Sequence, residues 1–144
     1  MQQLFANAIR KEKHASQFYT ELAGKTSNRK LAALFERLSE EEVVHKRLFE
    51  KLDIATLERV NSMPLHKLNL VQKTDSLNPE DLKDLTEGLN LAIKREQEAY
   101  DDYNILAEHI SEGDIKRVLK DIAEQEKRHK LLLVKAKEDL NERN

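Results

Sequence analysis

Glu42-Val43-Val44-His45 and Glu126-Lys127-Arg128-His129 are one motif, Glu-x-x-His, written twice at a separation of 84 positions. Two more pairs keep that offset: Glu12 with Glu96, and Tyr19 with Tyr103. The flanks repeat with them, Ala8-Ile9 matching Ala92-Ile93 and Leu22-Ala23 matching Leu106-Ala107. An internal repeat changes how a whole chain is read. Each half supplies one helix with a lone Glu and one helix with Glu-x-x-His. Positions i and i+3 are neighbours on a helix, so the Glu and His of each motif reach the same ion. Two such halves brought face to face surround one point with four carboxylates and two imidazoles. That is the ligand set of a two-metal carboxylate site in a four-helix bundle.

The surrounding residues have helical periodicity. Phe5, Ala8, Ile9, Glu12, Ala15, Tyr19, Leu22 and Ala23 step by three and four, which predicts a first helix over about 2–23. Gly24 reads as its C-cap, and Thr26, Ser27 and Asn28 offer N-cap oxygens for a second helix. That helix carries Leu31, Leu34, Phe35, Leu38, Glu42, His45, Leu48, Phe49 and Leu52 inward. Asn78-Pro79-Glu80-Asp81 opens a third helix with a cap, a first-turn Pro and first-turn acids. Gly88 is read as a kink or break. The third stripe is Leu89, Ala92, Ile93, Glu96, Ala99, Tyr103, Leu106 and Ala107. Ser111-Glu112-Gly113-Asp114 is a turn, with Asp114 capping a fourth helix that buries Ile115, Val118, Leu119, Ile122, Glu126, His129, Leu132, Leu133, Ala136 and Leu140.

The predicted fold is therefore all-α: a four-helix bundle made of two duplicated antiparallel hairpins, about 2–52 and 78–142, within one domain over 1–144. A crossover over about 53–77 joins them, long enough to run the length of a bundle and return the second half reversed.

Composition agrees. Charged residues make up 36% and aromatics 5%, with three Gly and two Pro, a balance that favours long helices over sheets. The formal net charge is −2 with signs mixed along the chain, so no basic stripe for nucleic acid is present. The 144 residues contain no Cys, which removes disulfides, thiolate-held zinc, iron–sulfur clusters and thiol nucleophiles from consideration. No stretch approaches the ~20 apolar residues of a membrane span, and the first residues lack a signal-peptide pattern. The expected location is the cytoplasm.

Carboxylate and imidazole donors suit iron or manganese, and zinc is compatible with them. Four glutamates balance the four positive charges of two divalent ions, which makes their burial tolerable.

Taken together, Ala92-Ile93-Lys94-Arg95-Glu96 leading to Tyr103, Glu126-Lys127-Arg128-His129 and their first-half counterparts resemble the ferritin-like diiron carboxylate proteins, the rubrerythrin branch in particular. The resemblance covers nearly the whole chain apart from the crossover. It implies two iron ions as cofactors. Glu42 and Glu126 would bridge them, Glu12 and Glu96 would be terminal ligands, and His45 and His129 would each bind one iron. Tyr19 and Tyr103 would donate hydrogen bonds to ligating carboxylates. The implied activity is reduction of hydrogen peroxide or dioxygen, with ferroxidase activity or iron storage as the alternative and a metal-free interaction bundle behind both. The implied partners are the oxidant, a separate electron-donor protein and further copies of the chain in a homodimer or small oligomer.

This sequence departs from the rubrerythrin pattern in two ways. An additional Glu usually follows the third-helix ligand by three residues, where this chain has Ala99; Glu98 lies about 200° around the helix and does not replace it. The Cys-ligated rubredoxin module of many members has no counterpart in a sequence without Cys. Outside the ligand register, His14 and His109 are expected to face solvent, Tyr100 to be structural, and Glu40, Glu41 and Glu124 to be surface charge. His66, in the crossover, is given no role.

Overall fold

The computed structural model describes residues 5–57, 85–110 and 113–142. Most of the predicted crossover, with His66 and the Asn78-Pro79 helix start, lies outside them, as does the Ser111-Glu112 part of the second turn. The chain divides into two compact units, Met1–Asn78 and Pro79–Asn144. Among the described residues the regular elements are all α-helices, and none is long and apolar enough to cross a membrane.

The first unit is a hairpin of α1 (Ala6–Lys25) and α2 (Arg29–Leu57). Its cross-helix contacts pair Phe5 with Asp53, Glu12 with His45, Ser16 with Ser39 and Tyr19 with Phe35. One number rises as the other falls, so the helices are antiparallel. The connection is three residues, 26–28. Asn28 is the N-cap of α2: its Oδ1 accepts from the Leu31 amide at 3.1 Å. Gly24 is not the C-cap. It stays helical inside the last turn, and the chain leaves α1 through Thr26, extended at φ −95° and ψ 139°, whose N–H still bonds Leu22 O. An extended exit requires no left-handed residue, so Gly24 is not needed for its conformational freedom.

Hydrophobic burial holds the hairpin together. Phe18, Tyr19, Leu22, Phe35, Leu38 and Phe49 are almost wholly buried, each such side chain contributing about 1.5–3 kcal/mol. Phe18 is outside the predicted stripe; its ring is tilted 58° to that of Tyr19 with centroids 5.9 Å apart. A polar knot crosses the interface as well. Ser39 Oγ donates to Ser16 O at 2.8 Å and lies 2.7 Å from Thr20 Oγ1, so this buried hydroxyl is satisfied.

α2 runs past its predicted end, and that carries Asp53 inward. Asp53 is buried, and its Oδ1 accepts the Phe5 N–H at 2.8 Å, one of the amides that the start of a helix leaves without an intrahelical partner. Burial pushes the Asp53 carboxyl above the usual carboxylate range, and the Phe5 N–H partly offsets this. An acid with a raised folded pKa keeps its proton in the native state over a window where the unfolded chain has released it. Stability therefore falls as pH rises through that window. Asp53→Asn, which keeps the acceptor and removes the charge, is expected to raise the melting temperature at neutral pH by a few degrees. Asp53→Ala, which deletes the acceptor, should lower stability by about 1–2 kcal/mol. Thermal melts of both variants from acid to neutral pH check this.

The second unit is a hairpin of α3 (Leu85–Glu108) and α4 (Gly113–Glu142). Gln97 meets Lys130, and Tyr100 meets Lys127, again antiparallel. Gly88 is buried inside α3 and does not break it. Leu89, Ala92, Glu96, Ala99, Tyr103, Leu106 and Ala107 are buried as the periodicity predicts, while Ile93 is half-buried. α3 tightens at its end: the His109 and Ile110 amides bond back three residues to Leu106 O and Ala107 O. Gly113 is the first residue of α4, so Asp114 lies in its first turn, where an acid suits the helix dipole, and not at the cap. On α4, Ile115, Leu119, Ile122, Glu126, His129 and Leu133 are buried, while Val118, Leu132, Ala136 and Leu140 are half-buried.

Candidate metal centre

Each hairpin builds one cluster. In the first, α1 contributes Glu12 and α2 contributes Glu42 and His45, one helical turn apart; all three are fully buried. His45 Nδ1 lies 3.0 Å from Glu12 Oε1 and 3.2 Å from Glu42 Oε1. In the second, α3 contributes Glu96 and α4 contributes Glu126 and His129, also buried. His129 Nδ1 lies 3.7 Å from Glu96 Oε2 and 3.3 Å from Glu126 Oε1. The same ring nitrogen faces the same two carboxylates in both halves. The sequence repeat is therefore a repeat of geometry.

The donor atoms are spaced as a metal requires. Bonds of roughly 2.1 Å in octahedral coordination put neighbouring donors about 3.0 Å apart. One donor from each of Glu12, Glu42 and His45 lies within 4.8 Å of the others, and the same holds for Glu96, Glu126 and His129. Oxygen and imidazole donors of this type fit iron or manganese.

The burial of these acids is costly without a cation. Burial pushes the Glu96 carboxyl well above the usual carboxylate range, and the neighbouring Glu126 charge adds to it; Arg95 and His129 pull the other way. Arg95 is a residue whose role the sequence did not disclose. Its Nη1 donates to Glu96 Oε1 at 3.1 Å and to Glu126 Oε2 at 2.8 Å, and its side chain is only 12% exposed. One position from Glu96 on a helix is about 100° off the inner face, which reads as surface. A long side chain folding back inward leaves no periodic signal.

The remaining candidates fall as follows. Tyr19 and Tyr103 are buried, Tyr19 lying against Phe35 with centroids 6.2 Å apart and rings nearly parallel. Ala15 and Ala99 are buried one turn beyond Glu12 and Glu96. His14, His109, Glu40 and Glu124 are exposed. Glu41 is half-buried and pairs with Arg37 at 3.1 Å. Tyr100 is half-buried, with Lys127 Nζ 5.7 Å from its ring centroid.

Two solved structures are similar to this chain. A Thermotoga maritima protein described as a candidate ferritin-like diiron-carboxylate protein is 26% identical, with a TM-score of 0.75 over 94% of this chain and 92% of that one. A hypothetical protein from Pyrococcus furiosus is 24% identical, with a TM-score of 0.69 over 94% of this chain and 87% of that one. The fold is the ferritin-like four-helix bundle, and its two halves each carry a Glu, Glu and His cluster. The family model for rubrerythrin matches residues 3–137, and the chain belongs to the rubrerythrin family. No curated protein matches it.

Proposed function

We propose that this chain is a nonheme diiron redox protein that reduces hydrogen peroxide or dioxygen. The observation that carries the reading is the duplicated cluster, a buried His Nδ1 between two buried carboxylates in each hairpin. Glu12, Glu42 and His45 would hold one iron and Glu96, Glu126 and His129 the other, with Glu42 and Glu126 as the bridging carboxylates on the family resemblance. An iron pair, when bound, supplies Lewis acidity and two electrons. The chain's own residues hold the ions and keep their surroundings dry. The Tyr19 and Tyr103 phenols would donate hydrogen bonds that orient ligating carboxylates. The small side chains of Ala15 and Ala99 would leave room for a small oxidant. Electrons would come from a separate donor protein, and the working form would be a homodimer or small oligomer in the cytoplasm.

A second reading is iron handling, by ferroxidase activity or storage. Ala99 favours it, because this buried position carries an additional Glu in many family members. Stopped-flow mixing of the reduced, iron-loaded protein with each oxidant separates the two. Peroxidase function predicts faster reaction with peroxide than with dioxygen, and turnover when a reductant is supplied. Reaction with dioxygen alone, many iron atoms per chain and an assembly of cage size would replace that function with iron storage.

A further inference from the structure

Arg95 Nη1 donates to Glu96 Oε1 at 3.1 Å and to Glu126 Oε2 at 2.8 Å, tying α3 to α4. The other oxygen of each carboxylate turns to His129: Glu96 Oε2 lies 3.7 Å and Glu126 Oε1 3.3 Å from its Nδ1. Each carboxylate thus shows one oxygen to a guanidinium and the other to an imidazole. An ion held by Glu96, Glu126 and His129 would use the oxygens on the imidazole side. An ionised carboxylate offers roughly four lone-pair sites. The bonds from Arg95 therefore need not break for an ion to be held, and Glu126 Oε2 keeps a lone pair for a bridging role. The guanidinium stays beside the site as a permanent charge, because it does not lose its proton at physiological pH. Its side chain is 12% exposed and both glutamates are fully buried, so solvent and salt screen that charge weakly. A fixed positive charge repels a trivalent ion more than a divalent one. The hydrogen bonds act in the same direction: they draw electron density from the carboxylates, and the more highly charged ion loses more by that.

We propose that Arg95 is a positioning residue that sets the oxidation-state preference of the second cluster. It holds Glu96 Oε1 and Glu126 Oε2, directs the other oxygen of each toward His129, and by its charge favours bound iron in the ferrous state. This rests on the metal-centre reading given above. A ferrous preference suits a protein whose oxidised form must be reduced again, one electron per iron, by a separate donor. Arg95 touches the ligands and not the oxidant, so its influence is carried by charge and by carboxylate orientation.

The test uses the full, iron-loaded chain, with its ferric absorption followed through a mediated redox titration in the absence of oxygen. Arg95→Gln keeps a hydrogen-bond donor and removes the charge. It should lower the midpoint potential, raising the ferric-to-ferrous ratio at a fixed potential by roughly 10-fold or more, where tenfold is about 59 mV for one electron. Arg95→Lys keeps the charge on a compact, flexible donor and should fall between the two. A merely structural Arg95 would, when replaced, change the melting temperature or the iron content and leave the midpoint of the iron that remains unmoved. If Arg95→Gln binds iron with an unchanged or raised midpoint, the proposal is overturned while the metal centre stands. If neither the wild-type chain nor any variant binds iron, the metal centre itself is wrong, and the proposal falls with it. Should Arg95→Gln fail to fold, Arg95→Met, which keeps an apolar stem without the charge, takes its place with the same expected fall, and an unmoved midpoint there overturns the proposal.

Discussion

Glu126→Ala is expected to lower bound iron, remove the absorption of the oxidised iron protein and abolish peroxide consumption together. The three losses have one cause. Glu126 is fully buried on α4, with Oε1 3.3 Å from His129 Nδ1. Its carboxylate would be a bridging ligand, so deleting it should weaken binding at both ions, by roughly 100-fold or more given that even residues behind the ligands are worth 10–100-fold. The deletion also removes the 2.8 Å contact of Arg95 Nη1 with Glu126 Oε2, while its 3.1 Å contact with Glu96 Oε1 stays. Losing one partner of a buried charge pair destabilises by as much as ~3–5 kcal/mol. The loss of the repulsion that Glu126 exerts on Glu96 works against that cost. Glu126→Gln separates the effects, since it keeps the volume and a hydrogen-bond acceptor for Arg95 while removing the anionic donor. It should fold like the wild-type chain and still fail to hold iron. Glu40→Ala is the control: this residue is exposed two positions before Glu42 and changes no contact to either cluster. Elemental analysis, absorption and peroxide assays on the three variants check the set. A Glu126→Ala protein with full iron and wild-type turnover would sink the assignment.

The parts legible in the sequence share one property: they recur at fixed intervals. Glu42 and His45 could be paired from spacing alone, because three positions on a helix are about 300° of rotation and one rise of ~4.5 Å. The equivalence of Glu12 and Glu96 followed from the repeat offset, which selects two acids from a chain in which 36% of residues are charged. Burial of Ala99 and Tyr103 followed from the same stripe as Glu96. What escaped reading depends on the reach of a side chain or on where a helix ends. Arg95 lies off the inner face by its backbone position and returns to it by its length. Asp53 sits just past the apolar stripe of α2, where a charged residue reads as the start of a loop. Phe5, seated against Phe49 with ring centroids 5.7 Å apart, brings its backbone amide to meet it. Gly24 illustrates the reverse error. A Gly near a helix end is a frequent C-cap, but Thr26 exits extended and Gly24 stays in the helical turn. Termini are decided by local competition between caps, and periodicity carries no information about which cap wins.

Metal should change both the size of the stability and its dependence on pH. A ligand that binds only the folded chain stabilises it by about 4 kcal/mol per site at a thousand times its dissociation constant. For a chain of this length that corresponds to roughly 10 °C or more in melting temperature. The pH dependence should reverse in sign. In the metal-free chain, burial and the charge of Glu126 raise the Glu96 carboxyl above its ordinary 4.5. The native state then binds more protons than the unfolded chain as pH climbs from about that value to the higher folded one. Stability must fall through that window and level off above it. With metal present the carboxylates have to be ionised to serve as ligands, so metal binding releases protons and tightens as pH rises. The melting temperatures of the loaded and metal-free forms should therefore diverge from acid toward neutral pH. Below the window, where Glu96 is protonated in both states, the two curves should converge. Glu96→Gln removes the raised group and supplies the internal check: its metal-free form should show a flatter fall with pH, and its metal-dependent gain should shrink. Melting curves that coincide with and without Fe²⁺ or Mn²⁺ across the whole range would mean that these six buried side chains are a structural polar core and hold no ion.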